Sequence, residues 1–203
     1  MTGESQGGQA ALATAHRQRT YGPRTDFRGV VAVDPESDVE KLMPIMGPYV
    51  PALPPPLDAT YGFLLAVLAG LRAADPGVNV NSYLTPYGRS LVDQVGRTCG
   101  GPELPDDFTL GKLTSRTLAT PEMTAALNRY MAVPVDGYDA PILLLLNTRD
   151  TTVPSPLHAK LVADLALHAE PFQTVVGHGS HTEMNDDQWA AFDRFFARVF
   201  RGN

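Results

Sequence analysis

Residues 3–10 read Gly-Glu-Ser-Gln-Gly-Gly-Gln-Ala and run directly into Gln9–Arg17, a segment of good helix formers. A Gly-x-Ser-x-Gly pattern opening a helix requires a sharp reversal from strand to helix, with the serine at its tip. Side chains beside the serine would collide with the neighbouring strand and helix, and Gly3, Gly7 and Gly8 are read as supplying that clearance. The helix starts near Gln6 and aims its unpaired N–H groups at the space in front of Ser5. The Gln6 amide is thereby a candidate donor to an oxyanion. Only Met1 and Thr2 come before the motif, so the strand that should feed the turn is expected to be missing.

The rest of the chain supplies other strands for such a turn. Ala140–Asn147 is a continuous apolar run, as a parallel strand buried on both faces requires. Asp26–Val33 and Phe172–Val176 are shorter runs bounded by turn signals and also read as strands. Ser155–His168 reads as an amphipathic helix with Leu157, Leu161, Leu165 and Leu167 on its apolar face. In a terminal helix over Trp189–Arg201, Trp189, Phe192, Phe196 and Val199 or Phe200 recur at helical spacing and are expected in the core. Between the first two strands, Asp38 and Asp58 are candidate caps. A short helix over Val39–Met43 and further helices over Ala59–Ala74, Gly88–Thr98 and Pro121–Ala132 follow, with a proline-rich connector at Pro51–Leu57. The fold class is α/β: a parallel sheet with flanking helices, interrupted at residues 38–138 by a helical cap insertion.

A serine hydroxyl needs a base, and the base needs an orienting acid. Asp150 lies just past the Ile142–Asn147 strand in Asn147-Thr148-Arg149-Asp150-Thr151-Thr152-Val153-Pro154, at the strand end where site chemistry gathers. A turn or capping role is the plain alternative for it. After the next strand comes Gly177-His178-Gly179-Ser180-His181, and the chain order Ser, Asp, His is that of α/β serine hydrolases. His181 is the preferred base, because it lies further along the loop after a Gly-Ser hinge; His178 is the alternative. His178, His181 and Glu183 also form a short cluster of metal-ligand types; binding would need a third or fourth ligand at suitable geometry and would leave the Ser and Asp motifs as coincidence, so no metal is assigned. His16, His158 and His168 fall on helical segments and are expected to face solvent.

Composition narrows the field. The chain has 203 residues, 43% of them hydrophobic, enough for one domain with a sizeable core. A net charge of −6 gives no footing for nucleic acid or an anionic membrane surface. Cys99 is the single cysteine, which excludes an internal disulfide framework and reads as a small buried hydrophobe. Met-Thr-Gly-Glu has neither the basic nor the apolar region of a signal peptide, so a chain opening this way is expected in the cytoplasm.

Together, Gly3–Ala10, the helical cap, Asn147–Pro154 and Gly177–His181 resemble the secretory lipase family of α/β-hydrolases, the lipase A type. The likeness extends over essentially the whole chain. It implies the C-terminal half of that fold, N-terminally truncated at the nucleophile elbow. It also implies hydrolysis of a small-molecule ester or lipid through a Ser5–His181–Asp150 triad and an acyl-enzyme, with no cofactor. The apolar Tyr61–Leu71 segment becomes a candidate lid or acyl-chain wall, and the cap a place for contact with a lipid interface; an ordinary buried helix is the alternative for that segment. Secretion follows if full-length relatives carry a signal. The expected departures are the absent N-terminal half with its second oxyanion donor and Glu4 before the serine. Impaired turnover, or dependence on a separate N-terminal half or on self-association, follows from that absence. The alternatives are a non-catalytic hydrolase-like binding module, and a serine peptidase or acyltransferase on the same fold.

Overall fold

A computed structural model describes residues 1–54, 60–98 and 101–201. Cys99 and Asp58 lie outside the described residues. The chain divides into two units, one formed by Met1–Asp38 with Val133–Asn203 and the other by Val39–Ala132.

The first unit is built on four parallel strands, β1 (Thr2–Glu4), β2 (Val30–Val33), β3 (Ile142–Asn147) and β4 (Phe172–Gly177), in the order β1-β2-β3-β4. Helices α1 (Gln6–Tyr21), α7 (Ser155–Leu167) and α8 (Asp186–Arg201) pack on this sheet. The central strands β2 and β3 are buried at every position. Strand geometry divides their side chains by alternation. Val30, Ala32, Ile142, Leu144 and Leu146 join Leu12, Leu161 and Leu165 on one face; Val31, Val33, Leu143 and Leu145 join Ala191 and Phe195 on the other. Helices on both faces account for the unbroken apolar run of β3, since neither side of the strand meets water.

The strand expected to be missing is present. Thr2, Gly3 and Glu4 pair with Val31, Ala32 and Val33. The terminal amine donates to the Gly29 carbonyl at 2.9 Å, and the Val31 N–H donates to the Met1 carbonyl at 2.9 Å. Three residues lack any hydrophobic alternation, so only pairing with β2 reveals them as a strand. At the other end, β2 is shorter than the Asp26–Val33 run, because ladder pairing with β3 begins at Val30.

Two helix faces differ from expectation. On α7 the buried positions are His158, Leu161 and Leu165, whereas Leu167 is 81% exposed. Residues 158, 161 and 165 follow the i, i+3, i+7 spacing of one stripe, and Leu167 falls outside it. On α8 the stripe facing the sheet is Gln188, Ala191 and Phe195. Trp189 (51% exposed) and Phe200 (67%) point outward, Trp189 edge-on to Phe192 and Phe200 stacked on Phe196, while Phe192, Phe196 and Val199 pack half-buried against the core. The shift of one position follows from buried Gln188, whose Nε2 donates to the Leu146 carbonyl at 3.1 Å and pins that face to β3.

The second unit has its own core. Its helices α2 (Val39–Leu42), α3 (Thr60–Ala74), α4 (Pro86–Val95), α5 (Leu110–Leu113) and α6 (Pro121–Met131) are joined by 3-10 turns at Met43–Ile45 and Val80–Tyr83. Helices α4 and α6 start alike, with proline in the first turn and a threonine cap: Thr85 accepts from Gly88 N–H at 2.9 Å and Thr120 from Met123 N–H at 3.2 Å. Tyr61, Leu64, Leu65, Leu68 and Leu71 of α3 are buried in this core, which favours the ordinary buried-helix reading of that segment over a lid. Among the described residues, no helix is long and apolar enough to cross a membrane.

Two of the leucines of α7 test this assignment. Leu165→Ala is expected to cost about 2–4 kcal/mol, the usual range for an emptied core site. Leu167→Ala should stay within about 0.5 kcal/mol of the parent. Urea denaturation midpoints measure both, and equal losses would refute the 158–161–165 stripe.

Candidate active site

Ser5 stands between β1 and α1 with φ 52 and ψ −123, a backbone conformation that L residues rarely adopt. A serine ahead of a helix ordinarily turns its hydroxyl back to cap the first N–H groups. Here it makes no such bond, and the Oγ instead meets His181 Nε2 at 2.8 Å. The turn is held at both ends: Ser5 N–H donates to the Val33 carbonyl at 2.9 Å, and the Ser5 carbonyl accepts from Gln9 N–H at 3.1 Å and Glu36 N–H at 3.2 Å.

The glycines of the motif are not equivalent. A Cβ on Gly3 would sit 2.0 Å from the Gly7 carbonyl oxygen, and one on Gly8 would lie 3.1 Å from Pro35 Cβ. A Cβ on Gly7 would meet nothing within 4 Å, so the clearance expected of that position is not needed. Gly7 matters for its backbone, which Gly3 must approach. Gln6 is the first residue of α1, where the N–H has no intrahelical acceptor.

Asp150 and His181 come from the loops after β3 and β4. Asp150 is buried, and its two oxygens do different things. Oδ1 accepts from Thr152 N–H at 2.8 Å and Val153 N–H at 2.9 Å, the local turn that its sequence setting suggests. Oδ2 lies 2.7 Å from His181 Nδ1. The turn role and the orienting position therefore coexist in one side chain. An ionised carboxylate only accepts, so Nδ1 carries the ring proton; Nε2 of the neutral ring is then the acceptor for the Ser5 hydroxyl.

Of the two histidines in the loop, only His181 reaches Ser5. His178 is exposed, with Nδ1 3.0 Å from Thr148 Oγ1. Glu183 accepts from Ser180 N–H at 3.0 Å and Ser180 Oγ at 2.8 Å, which holds its carboxyl below the usual range. His178, His181 and Glu183 thus have separate partners rather than a common centre.

Three acidic or imidazole side chains that no motif announces lie close by. Asp34, at the end of β2, is fully buried with φ 38. Glu36 is buried, and its carboxyl is pushed up by that burial while His181 pulls the other way. His158, expected in solvent, is 2% exposed, with Nδ1 3.7 Å from Asp34 Oδ1 and Nε2 3.9 Å from Asp150 Oδ2. Burial holds its imidazole below the ordinary value, against the upward pull of Asp34, Asp150 and the Pro35 backbone. The signal missed was its place on the α7 stripe, three residues before Leu161. The other two helical histidines are less enclosed: His16 is half-buried edge-on to Tyr138, and His168 is exposed.

Asp34, Asp150 and His158 each offer one donor atom within 4.8 Å of the others, all buried. The carboxylates are already engaged, Asp34 with three N–H donors and Asp150 with two N–H groups and His181. The two carboxylates are already satisfied by these donors, and no metal is assigned.

This geometry can be set beside solved structures. Lipase A from Candida antarctica in its closed state superposes with a TM-score of 0.69 at 17% identity, over 97% of this chain and 48% of that one. The rice cell wall degrading esterase LipA from Xanthomonas oryzae gives 0.64 at 13% identity, over 98% of this chain and 55% of that one. The chain has a partial α/β-hydrolase fold. It spans about half the length of these hydrolases. No protein-family model matches the sequence, and no curated protein does. At such identities the α/β-hydrolase likeness concerns the fold, and the chemistry has to be argued from the residues.

Two measurements check this site. Gly3→Ala is expected to destabilise by about 1–3 kcal/mol through the backbone clash, while Gly7→Ala stays within about 0.5 kcal/mol of the parent. The second concerns pH. A histidine whose folded value is depressed binds more protons when unfolded, so stability is full above the unfolded value of about 6.5 and declines as pH falls from there through the folded value. His158→Gln should therefore flatten the fall in urea midpoint between about pH 7.5 and 5.5; an unchanged slope would mean that His158 does not contribute to it.

Proposed function

We propose that this chain is a carboxylic ester hydrolase that works through an acyl-enzyme on Ser5. The observation that carries the reading is the hydrogen-bonded series Ser5 Oγ, His181 Nε2 at 2.8 Å, His181 Nδ1, Asp150 Oδ2 at 2.7 Å. The lipase and esterase identities of proteins with this fold support it.

The chemistry is a proton-coupled acyl transfer. Ser5 Oγ attacks the ester carbonyl carbon as His181 Nε2 takes its proton. The negative oxygen of the tetrahedral intermediate faces the start of α1, where the Gln6 N–H is the donor assigned to it. The carbon–oxygen bond to the alcohol breaks, and His181 returns the proton to the departing alkoxide. Water then attacks the acyl-enzyme with His181 again as base, which releases the carboxylic acid and restores the serine. Asp150 keeps the proton on Nδ1 throughout and stabilises the imidazolium; its two bonds from Thr152 and Val153 keep Oδ2 aimed at the ring. The substrate is a small-molecule ester, and every group the cycle requires is a side chain or a backbone amide.

Hydrolysis of p-nitrophenyl butyrate by the purified chain, monodispersity verified, is the test. Ser5→Ala should reduce turnover to background, and Asp150→Asn should lower kcat by about 10³–10⁴-fold. A folded parent chain whose turnover equals that of Ser5→Ala would refute the proposal and favour a binding module on the same fold.

A further inference from the structure

The end of β2 holds the two halves of the site together, and one residue there has no place in the catalytic cycle. Val33 accepts the Ser5 N–H through its carbonyl. Asp34, the next residue, accepts the Thr182 N–H on Oδ2 at 2.7 Å, and Thr182 directly follows His181. The same carboxylate takes the Asn147 N–H on Oδ1 and Asn147 Nδ2 on Oδ2, both at 2.8 Å. Asn147 Oδ1 in turn receives Gly179 N–H at 3.3 Å, so the loop is tied on both sides of His181.

We propose that Asp34 is a positioning residue for the base: its buried carboxylate fixes the main chain around His181 at the distance and angle at which the imidazole joins Ser5 to Asp150. The inference rests on the ester hydrolase reading above. Asp34 makes no hydrogen bond to the His181 ring, so it acts on the ring through the backbone. Thr182 has φ 61, a conformation that a threonine leaves unless something holds it. A charge-assisted bond from a fully buried carboxylate is such a hold, about twice as strong as a bond to a neutral acceptor. Asp34 itself has φ 38, and its N–H donates to Leu145 on β3 at 2.9 Å, so the acceptor is as fixed as the loop it holds. All three groups reaching the carboxylate are N–H donors. A carboxylate can accept from all of them, whereas an amide must turn its NH₂ toward at least one.

The test uses Asp34→Ala, Asp34→Asn and Asn147→Ala. An organophosphonate that labels Ser5 counts competent sites, so kcat for p-nitrophenyl butyrate is expressed per labelled site. Asp34→Ala should lower that kcat by about 10- to 100-fold with KM changed by less than about twofold, the signature of a displaced catalytic group. Asp34→Asn should fall between Ala and parent. A purely structural Asp34 would lower the melting temperature and the labelled fraction while leaving kcat per site within about twofold; that result overturns the proposal. If Asp34→Ala does not fold, Asn147→Ala decides: a fall of several fold per labelled site supports the proposal, and an unchanged value refutes it.

Proton NMR of the His181 Nδ1–H gives a readout independent of turnover. The low-field resonance of a ring proton shared with Asp150 should be present in the parent and shifted or lost in the Asp34 variants. A resonance unmoved by Asp34→Asn, or absent from the parent, overturns the positioning role. A parent that shows the resonance but no Ser5-dependent turnover would refute the ester hydrolase reading alone.

Discussion

The geometry of the candidate site depends on the carboxyl end of β2. Strand pairing sets β1 on one side of it and β3 on the other, so the residues that leave those strands arrive together. The Val33 carbonyl takes the Ser5 N–H and the Asp34 carboxylate takes the Thr182 N–H. Groups 176 residues apart in sequence, Ser5 Oγ and His181 Nε2, are thus brought within 2.8 Å by ties to the last residue of β2 and the one after it. Parallel strands buried on both faces cannot slide without moving a whole apolar set, which makes this strand end a fixed reference.

Strain gathers where that reference is used. Among the described residues, Ser5, Asp34 and Thr182 are three of the five non-glycine positions with positive φ, and all three meet at the site. Each such conformation costs about 1–3 kcal/mol and persists only where the surroundings over-determine it. The surroundings are visible: the Ser5 main chain makes three hydrogen bonds, Asp34 accepts three, and the Thr182 amide is held by Asp34. The same logic explains Gly3, whose missing side chain lets β1 press against the first turn of α1. A serine presented on a tight turn between strand and helix requires that closeness.

Buried charge is the second organising constraint. Asp34, Asp150 and His158 sit together beneath His181 with almost no exposure. Ionised carboxylates in such a place need donors, and the backbone amides of Asn147, Thr152, Val153 and Thr182 provide them. For His158 burial acts in the opposite sense, lowering its imidazole from the ordinary value and so favouring the neutral form. At 17% identity or less, the solved hydrolases share the shape of this sheet and its helices while differing at most positions. Burial pattern and strand order, rather than particular side chains, are what carry the fold across that distance.

Most of the elements and their order were legible in the amino-acid chain alone. The run Ile142–Asn147 had to be a two-sided buried strand, because that signal is local, whereas the helix expected over Gly88–Thr98 starts two residues earlier, at Pro86 behind the Thr85 cap. Ser5, Asp150 and His181 stood out as well, since a tight turn and the ends of parallel strands impose recognisable residue types. The rest took shape only when the chain closed on itself. Thr2–Glu4 is a strand because β2 lies beside it, and three residues have no periodicity to show this. The buried face of α8 was set by the Gln188 bond to β3, so the aromatic spacing that looked like core lies half outside. His158 and Asp34 look like ordinary surface residues in sequence, and both are buried because elements far apart along the chain close over them. Their roles come from neighbours supplied by chain folding, and no local pattern encodes a neighbour that distant.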